Sequence, residues 1–395
     1  MSRVITGLEV LLGAPQLIGG RRWALLANQS AVTFELEPAR VALQAAGVGP
    51  LIRLFAPEHG LDGVAQDMEA VGDRRDPLTG ADVRSLYGND AATLAPSSED
   101  LEGIDILVVD LPDIGARYYT FAATMDWVMA SCEVAGVEVM VLDRPNPIGG
   151  LMREGGLVRP GFTSFVSQLP TPVRHGLTLG EIALLLQRER YPELDLSVVP
   201  CRDWRRHDWW DSTGLPWVPP SPNMPSLETA AIYPGLCLVE ATTLSEGRGT
   251  TRPFHQVGAP WVEGPRLAAA LGDLDLPGIG FRATRFRPEF GKHAGLVCEG
   301  VELHVTDRHA LQPLALGLHL LKSIHDLHRE DFAWRSDPYE FVSDVPALDL
   351  LTGSDAARRA IENAEEIEPL LREWRAEVEA FEGGLDGILL YHQEA

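Results

Sequence analysis

Leu51-Ile52-Arg53-Leu54-Phe55-Ala56-Pro57-Glu58-His59-Gly60-Leu61-Asp62-Gly63 joins a short apolar run to an acid, an imidazole and two glycines. The run Leu51–Phe55 reads as a buried strand. Pro57 fixes the backbone after it, and Gly60 and Gly63 let the next loop turn tightly. Polar groups directly after a buried strand lie where α/β proteins bind their ligands, outside the carboxyl ends of a parallel sheet. A carboxyl group there is poorly hydrated, which favours its protonated form and suits it to proton donation.

The same arrangement recurs through residues 1–150. Trp23–Ala27 leads into Asn28-Gln29-Ser30, Ile104–Val109 into Asp110-Leu111-Pro112-Asp113, and Val137–Leu142 into Asp143-Arg144-Pro145-Asn146-Pro147. Helices are expected at Pro38–Ala46 and about Tyr119–Ala135, the latter with Phe121, Met125, Val128 and Met129 on one core-facing stripe. Apolar strands alternating with amphipathic helices specify a parallel sheet covered on both faces. The fold class is therefore α/β, a Rossmann-like parallel-sheet domain over residues 1–150 followed by a smaller α/β (α+β) domain over 151–395. The boundary is placed at the cluster Pro145, Pro147, Gly149, Gly150, Gly155 and Gly156, which continues neither helix nor strand. In the second domain the pattern predicts a helix at Thr178–Arg190, opened by a Thr178/Glu181 capping box. Strands follow near Leu196–Val199, Leu236–Ala241 and Val301–Val305, with helices at Pro313–His328 and Asp355–Glu382.

Composition narrows the function. With 33 Lys+Arg against 57 Asp+Glu the net charge is −24, a field that repels nucleic acid and anionic membranes. No apolar run reaches the length of a membrane span and the first residues lack an apolar signal core, so a cytoplasmic protein is expected unless an export signal has been removed. Cys132, Cys201, Cys237 and Cys298 are far apart with no CxxC pair, which disfavours a zinc site and predicts buried free thiols. No GxGxxG or Walker sequence follows a strand, so no dinucleotide and no other cofactor is expected, and no metal. An oxidoreductase or transferase is disfavoured on the same ground. His319, His325 and His328, without an HExxH pattern, read as surface or packing residues.

Two further segments carry chemistry. Between 202 and 225, Trp204, Trp209, Trp210 and Trp217 alternate with Pro216, Pro219, Pro220, Pro222 and Pro225 in a stiff loop whose indole faces suit a pyranose ring. The run Glu240–Phe254 sets Glu246 and Arg248 between glycines in a tight polar loop.

Six motifs, taken in order, resemble the exo-β-N-acetylmuramidases of bacterial cell-wall turnover. They are Pro57-Glu58-His59-Gly60, Asp113–Thr120, Leu142–Gly150, Arg174-His175-Gly176, Gly214–Asn223 and Ser245–Thr251. The likeness continues through His304–Arg308 and Pro338–Val342 to Leu350–Gly353, and departs at Ala241-Thr242-Thr243, where the family more often reads Gly-Thr-Asn. The resemblance implies a Rossmann-like domain, a smaller second domain and an active site in the cleft between them. It also implies release of N-acetylmuramic acid from the non-reducing ends of peptidoglycan fragments, with Glu58 as the catalytic residue. The expected substrate-binding set is His59, Asp110, Arg117, Tyr118, Asp143, Asn146, Arg174, His175, Glu246 and Arg248. The partner is a peptidoglycan-derived saccharide of the MurNAc-GlcNAc type. Its lactyl carboxylate calls for a guanidinium, and Arg117, Arg144, Arg174 and Arg248 fall in these motifs, with Arg252 in the run Glu240–Phe254. For the second group of a glycoside hydrolysis, Asp110, Asp113, Asp143, Glu240, Glu246, His59, His175 and the substrate's acetamido oxygen all remain open. The competing reading is a sugar-binding protein without chemistry, in which Glu58 accepts hydrogen bonds from sugar hydroxyls.

Overall fold

The computed structural model describes residues 3–392. Its chain forms two compact units. The first holds the described residues up to Met152, then Gly176–Pro225, then those from Gly383 on; the second holds Arg153–His175 and Ser226–Glu382. Neither unit is one continuous stretch, so the expected boundary at residue 150 marks only the first of four crossings. The expected 151–395 domain thus gives Gly176–Pro225 and the C-terminal segment to the first unit. Composition shows where a chain breaks, not where it returns.

The first unit is built on a seven-stranded sheet. Helix α1 (Gly7–Leu12) precedes β1 (Trp23–Ala27), α2 (Ala39–Ala45), β2 (Leu51–Ala56), β3 (Arg74–Arg75), β4 (Asp82–Ser85) and β5 (Ile106–Asp110). Helix α3 (Phe121–Ala135), β6 (Glu138–Leu142), α4 (Leu179–Glu189) and β7 (Leu196–Val199) complete it. The strand order is β3-β4-β2-β1-β5-β6-β7, parallel throughout except for the β3–β4 pair. Every residue of β1 and β5 is buried, as continuous apolar runs in the middle of a parallel sheet must be. The stripe Phe121, Met125, Val128 and Met129 of α3 is buried as its spacing requires. Helix α3 ends on Gly136 at φ 67°, a left-handed cap that suits glycine. Helix α4 carries the Thr178/Glu181 capping box, and β7 pairs with β6, so both belong to this unit and not to the second.

The second unit contains α5 (Leu227–Leu236), β8 (Gln256–Ala259), α6 (Gly264–Gly272), β9 (Ile279–Phe286), β10 (Cys298–Val305), α7 (Pro313–Leu327), α8 (Ala347–Thr352), α9 (Ala356–Glu362) and α10 (Glu368–Glu382). Its sheet is antiparallel, in the order β8-β10-β9. The strand expected at Leu236–Ala241 is instead the end of α5 followed by a 3₁₀ turn, Cys237–Ala241. The single helix expected over Asp355–Glu382 is two, broken where Ala364 takes φ 56°. All four cysteines are buried and unbridged. His319 lies 3.3 Å from Glu368 and His328 packs edge-on to Trp261, both packing roles. Among the described residues no helix is long and apolar enough to cross a membrane.

Helices α5 and α7 meet backbone to backbone at two glycines. A Cβ on Gly317 would stand 2.2 Å from the carbonyl oxygen of Gly235, and one on Gly235 would stand 1.6 Å from that of Pro313. We expect Gly317→Ala to force the helices apart and cost about 3 kcal/mol, read as a lowered melting temperature. An unchanged melt would show that the crossing is not tight.

Candidate active site

Each parallel strand of the first unit delivers polar side chains at its carboxyl end. After β2 the chain turns at once, with the Gly60 N–H donating to the Pro57 carbonyl at 3.0 Å and His59 held at φ 68°. A non-glycine residue in the left-handed region is strained, and such strain collects at functional loops. The turn places Glu58 with only 5% of its surface exposed. Its Oε2 accepts from the Thr120 hydroxyl at 2.7 Å and its Oε1 from the Met68 N–H at 3.2 Å. A carboxylate oxygen of Asp67 lies within 4.8 Å of one of Glu58. His59 Nδ1 is 2.9 Å from the Ala65 carbonyl, which can only accept, so Nδ1 carries a proton.

After β1, Asn28 Oδ1 accepts from the Ser30 hydroxyl at 2.7 Å, while its amide donates to the Pro220 carbonyl at 3.1 Å. Gln29 Nε2 donates to the Pro219 carbonyl at 2.7 Å. These bonds dock the aromatic loop onto the sheet's edge of polar groups. Trp204 and Trp209 are buried, Trp204 edge-on to Tyr391, so they anchor the loop. Trp210 and Trp217 are half-buried, meet edge to face at 5.7 Å, and line a cavity with Asp113, Arg144 and Pro147.

After β5, Asp110 is fully buried and clamped by Arg144, whose Nε donates to Oδ1 at 2.5 Å and Nη2 to Oδ2 at 2.9 Å. Burial disfavours the guanidinium charge, but Asp110 outweighs it and keeps Arg144 charged. Further along, Asp113 Oδ2 accepts from the Gly115 N–H at 2.7 Å. Arg117 and Tyr118 are buried. The Tyr119 hydroxyl is pushed well up by burial and by the carboxylates of Asp113 and Glu58, against a hydrogen bond with Ser221. Glu58, Tyr119 and Asp113 therefore share one neighbourhood.

After β6, Asp143 is buried against the amino end of α4, accepting from the Thr178 hydroxyl at 2.7 Å, the Gly180 N–H at 2.8 Å and the Tyr391 hydroxyl. Asn146 braces the loop, donating to the Leu177 carbonyl at 2.9 Å and accepting from the Ile148 N–H.

In the second unit, Arg174 is paired with Glu154 at 3.1 Å and His175 is fully buried. Burial lowers the Arg174 guanidinium and raises the Glu154 carboxyl, because their mutual attraction does not fully offset it. Arg248 Nη1 lies 2.8 Å from Glu240 and 3.2 Å from Glu246, with Phe254 beneath its guanidinium. Lys292 Nζ is 3.0 Å from the other Glu246 oxygen, and the Tyr339 hydroxyl donates to Glu240 at 2.8 Å. Burial would raise the Glu246 carboxyl, but Lys292 and Arg248 outweigh it and hold it at about 2.

The expected residues thus divide. Glu58 and His59 stand together on one loop with Thr120, Tyr119 and Asp113 nearby. Asp110 and Asp143 are saturated by groups of the scaffold, which is a structural use. Of the five arginines, Arg144, Arg174, Arg248 and Arg252 already pair with internal carboxylates, Arg252 with Glu302 at 3.2 Å. A substrate carboxylate would have to displace those partners, so their number in the motifs does not by itself supply a lactyl site. The sequence reading missed Thr120, Met68 and Asp67 as neighbours of Glu58. Thr120 stood inside a quoted motif, and the other two lie on the loop that Glu58 opens.

A parallel sheet with its polar groups at the strand ends in one unit, and a smaller antiparallel sheet in the other, define a two-unit α/β protein. The sequence models of the exo-β-N-acetylmuramidase NamZ N-terminal and C-terminal domains match residues 23–228 and 231–391, and the chain belongs to that family. The peptidoglycan β-N-acetylmuramidase NamZ of Bacillus subtilis (strain 168) is 40% identical over 390 residues, 98% of this chain and 92% of that protein. A solved structure of a DUF1343 family protein from Bacteroides fragilis NCTC 9343 superposes with a TM-score of 0.89 at 33% identity, covering 99% of this chain and 100% of the other. A second from the same organism gives 0.78 at 28% identity, covering 100% of both.

Burial dominates at Asp143 and pushes its carboxyl up to about 6, despite three donors. An acid whose folded pKa lies above its unfolded value binds more protons when folded, so its contribution to stability falls as pH rises from about 4 to about 6. Relative to Asp143→Asn, we expect the wild type to lose about 3 kcal/mol across that window. Parallel stability–pH curves for the two proteins would refute the shift.

Proposed function

We propose that this chain is an exo-acting β-N-acetylmuramidase that releases N-acetylmuramic acid from the non-reducing end of peptidoglycan fragments, with Glu58 as its general acid and base. The observation that carries the assignment is the placement of Glu58. It is a buried carboxyl at the carboxyl end of a parallel strand, on a strained turn, with each oxygen oriented by a separate donor. Thr120 and Met68 together fix the carboxyl plane, and positioning of that kind supports proton transfer in one direction. As the C1–oxygen bond breaks, its electron pair goes to the leaving oxygen, which takes the Glu58 proton. The Glu58 carboxylate then accepts a proton from the water whose oxygen bonds to C1, restoring the acid. The family and its Bacillus subtilis relative supply the substrate class.

In Glu58→Gln the amide carbonyl can keep the Met68 N–H and the amide NH2 can donate to the Thr120 hydroxyl, which turns to accept, yet there is no acidic proton. We expect it to melt as the wild type does and to lose about 10²-fold or more in kcat on a chromogenic N-acetylmuramide. Turnover near the wild-type rate in the folded variant would remove Glu58 from the chemistry.

A further inference from the structure

The cavity at the strand ends of the first unit has a composition that fits one small chemical group. Its walls include Val32, Pro147, Leu215 and Pro216, all apolar. Arg144 also lines it, but that guanidinium is neutralised by the bidentate Asp110, so the lining offers no uncompensated positive charge from Arg144. An anionic group is therefore not what Arg144 selects there. The Ser30 and Thr33 hydroxyls also line it, both already engaged with neighbouring groups, and two further polar features bear on the occupant. Trp210 Nε1 is buried with no hydrogen-bond acceptor among the described residues, whereas the indoles of Trp204 and Trp217 donate to the Asp208 and Met224 carbonyls, each at 3.3 Å. Buried donors are almost always satisfied, and an exception beside a cavity is accounted for when the occupant brings the acceptor. Asp113 lines the same cavity, anchored through Oδ2 to Gly115. Asp113 and Glu58 both act on the Tyr119 hydroxyl, and Tyr119 directly precedes Thr120, whose hydroxyl donates to Glu58 at 2.7 Å.

We propose that this cavity is the recognition pocket for the 2-acetamido group of the sugar. The Trp210 indole N–H donates to the acetamido carbonyl oxygen, the Asp113 carboxylate accepts from the amide N–H, and Leu215 with the prolines encloses the methyl group. An acetamido group is neutral, carries one acceptor and one donor on adjacent atoms, and ends in a methyl, which matches what the lining presents. The assignment rests on the saccharide reading above, and it adds a specificity determinant remote from the lactyl group.

The test is equilibrium binding to the wild-type protein of two free monosaccharides, which have no glycosidic bond to hydrolyse. N-acetylmuramic acid and its analogue lacking the 2-acetamido group are titrated into that protein and into the same protein carrying Trp210→Phe. Phenylalanine keeps an aromatic wall but has no N–H. We expect the acetamido sugar to bind at least tenfold more tightly than the analogue, and Trp210→Phe to weaken it roughly tenfold while changing the analogue less than about twofold, the loss of one hydrogen bond to a desolvated carbonyl. An unaltered preference in the folded Trp210 variant overturns the proposal. If that variant does not fold, the comparison of the two sugars on the Trp210-containing protein decides, and equal binding overturns it. A Glu58→Gln protein that still turns over substrate would discard the acid and leave the binding comparison readable.

Discussion

Arg206 and Glu181 form an ion pair with neither side chain exposed to solvent, and the continuity of the sheet-bearing unit depends on it. Arg206 Nη1 reaches Glu181 at 2.6 Å, its Nε donates to the Gly150 carbonyl at 3.1 Å, and its Nη2 donates to the Gly176 carbonyl. Gly150 lies just before the chain leaves this unit, and Gly176 is where it returns. Glu181 also closes the capping box of α4 and accepts from the Leu390 N–H at 2.9 Å. One guanidinium thus ties an exit, a re-entry, a helix start and the C-terminal segment together. Taking two charges out of water is costly, and the cost is recovered only when every donor and acceptor is matched, as here; deleting one partner of such a pair costs about 3–5 kcal/mol.

The same economy governs the rest of this acidic chain. Its interior arginines are spent on interior acids: Arg144 on Asp110, Arg174 on Glu154, Arg248 on Glu240 and Glu246. These pairs sit at strand ends and loop bases, where they fix the loops that carry the motifs. Motif residues in this chain are therefore of two kinds, those that hold loops in place and those that face a cavity. Asp113 belongs to the second kind, with Trp210 of the aromatic loop on the same cavity.

The central strands were legible because Trp23–Ala27 and Ile106–Asp110 are buried along their whole length and so lack alternation. The edge was not: β3 is two exposed arginines, which no hydrophobic pattern marks. Leu236–Ala241 was misread because a short apolar run is equally a buried strand and a buried helical turn, and periodicity does not separate them. The location of Glu58 at a strand end was readable from local sequence. The partners that orient it were not, since Thr120 is 62 residues away and is brought in by α3. The pairing of the arginines was hidden for the same reason. Arg144 meets an acid 34 residues earlier, on the neighbouring strand.

The discontinuity of the first unit has a consequence for how the protein is made. Tyr391 donates to Asp143 and accepts from the Cys201 N–H at 3.0 Å, so a segment made long after β6 and α4 finishes the packing around them. A nascent chain extends from its N-terminus, and contacts between distant segments carry a loop-closure cost before they return any stability. Until the segment carrying Leu390 and Tyr391 has been made, the buried Asp143 lacks one of its donors and Glu181 one of its own. The sheet begins to form on the early strands but becomes a closed unit only when the segment from Gly383 on docks, so a chain cut before that segment leaves Asp143 and Glu181 each short of a donor.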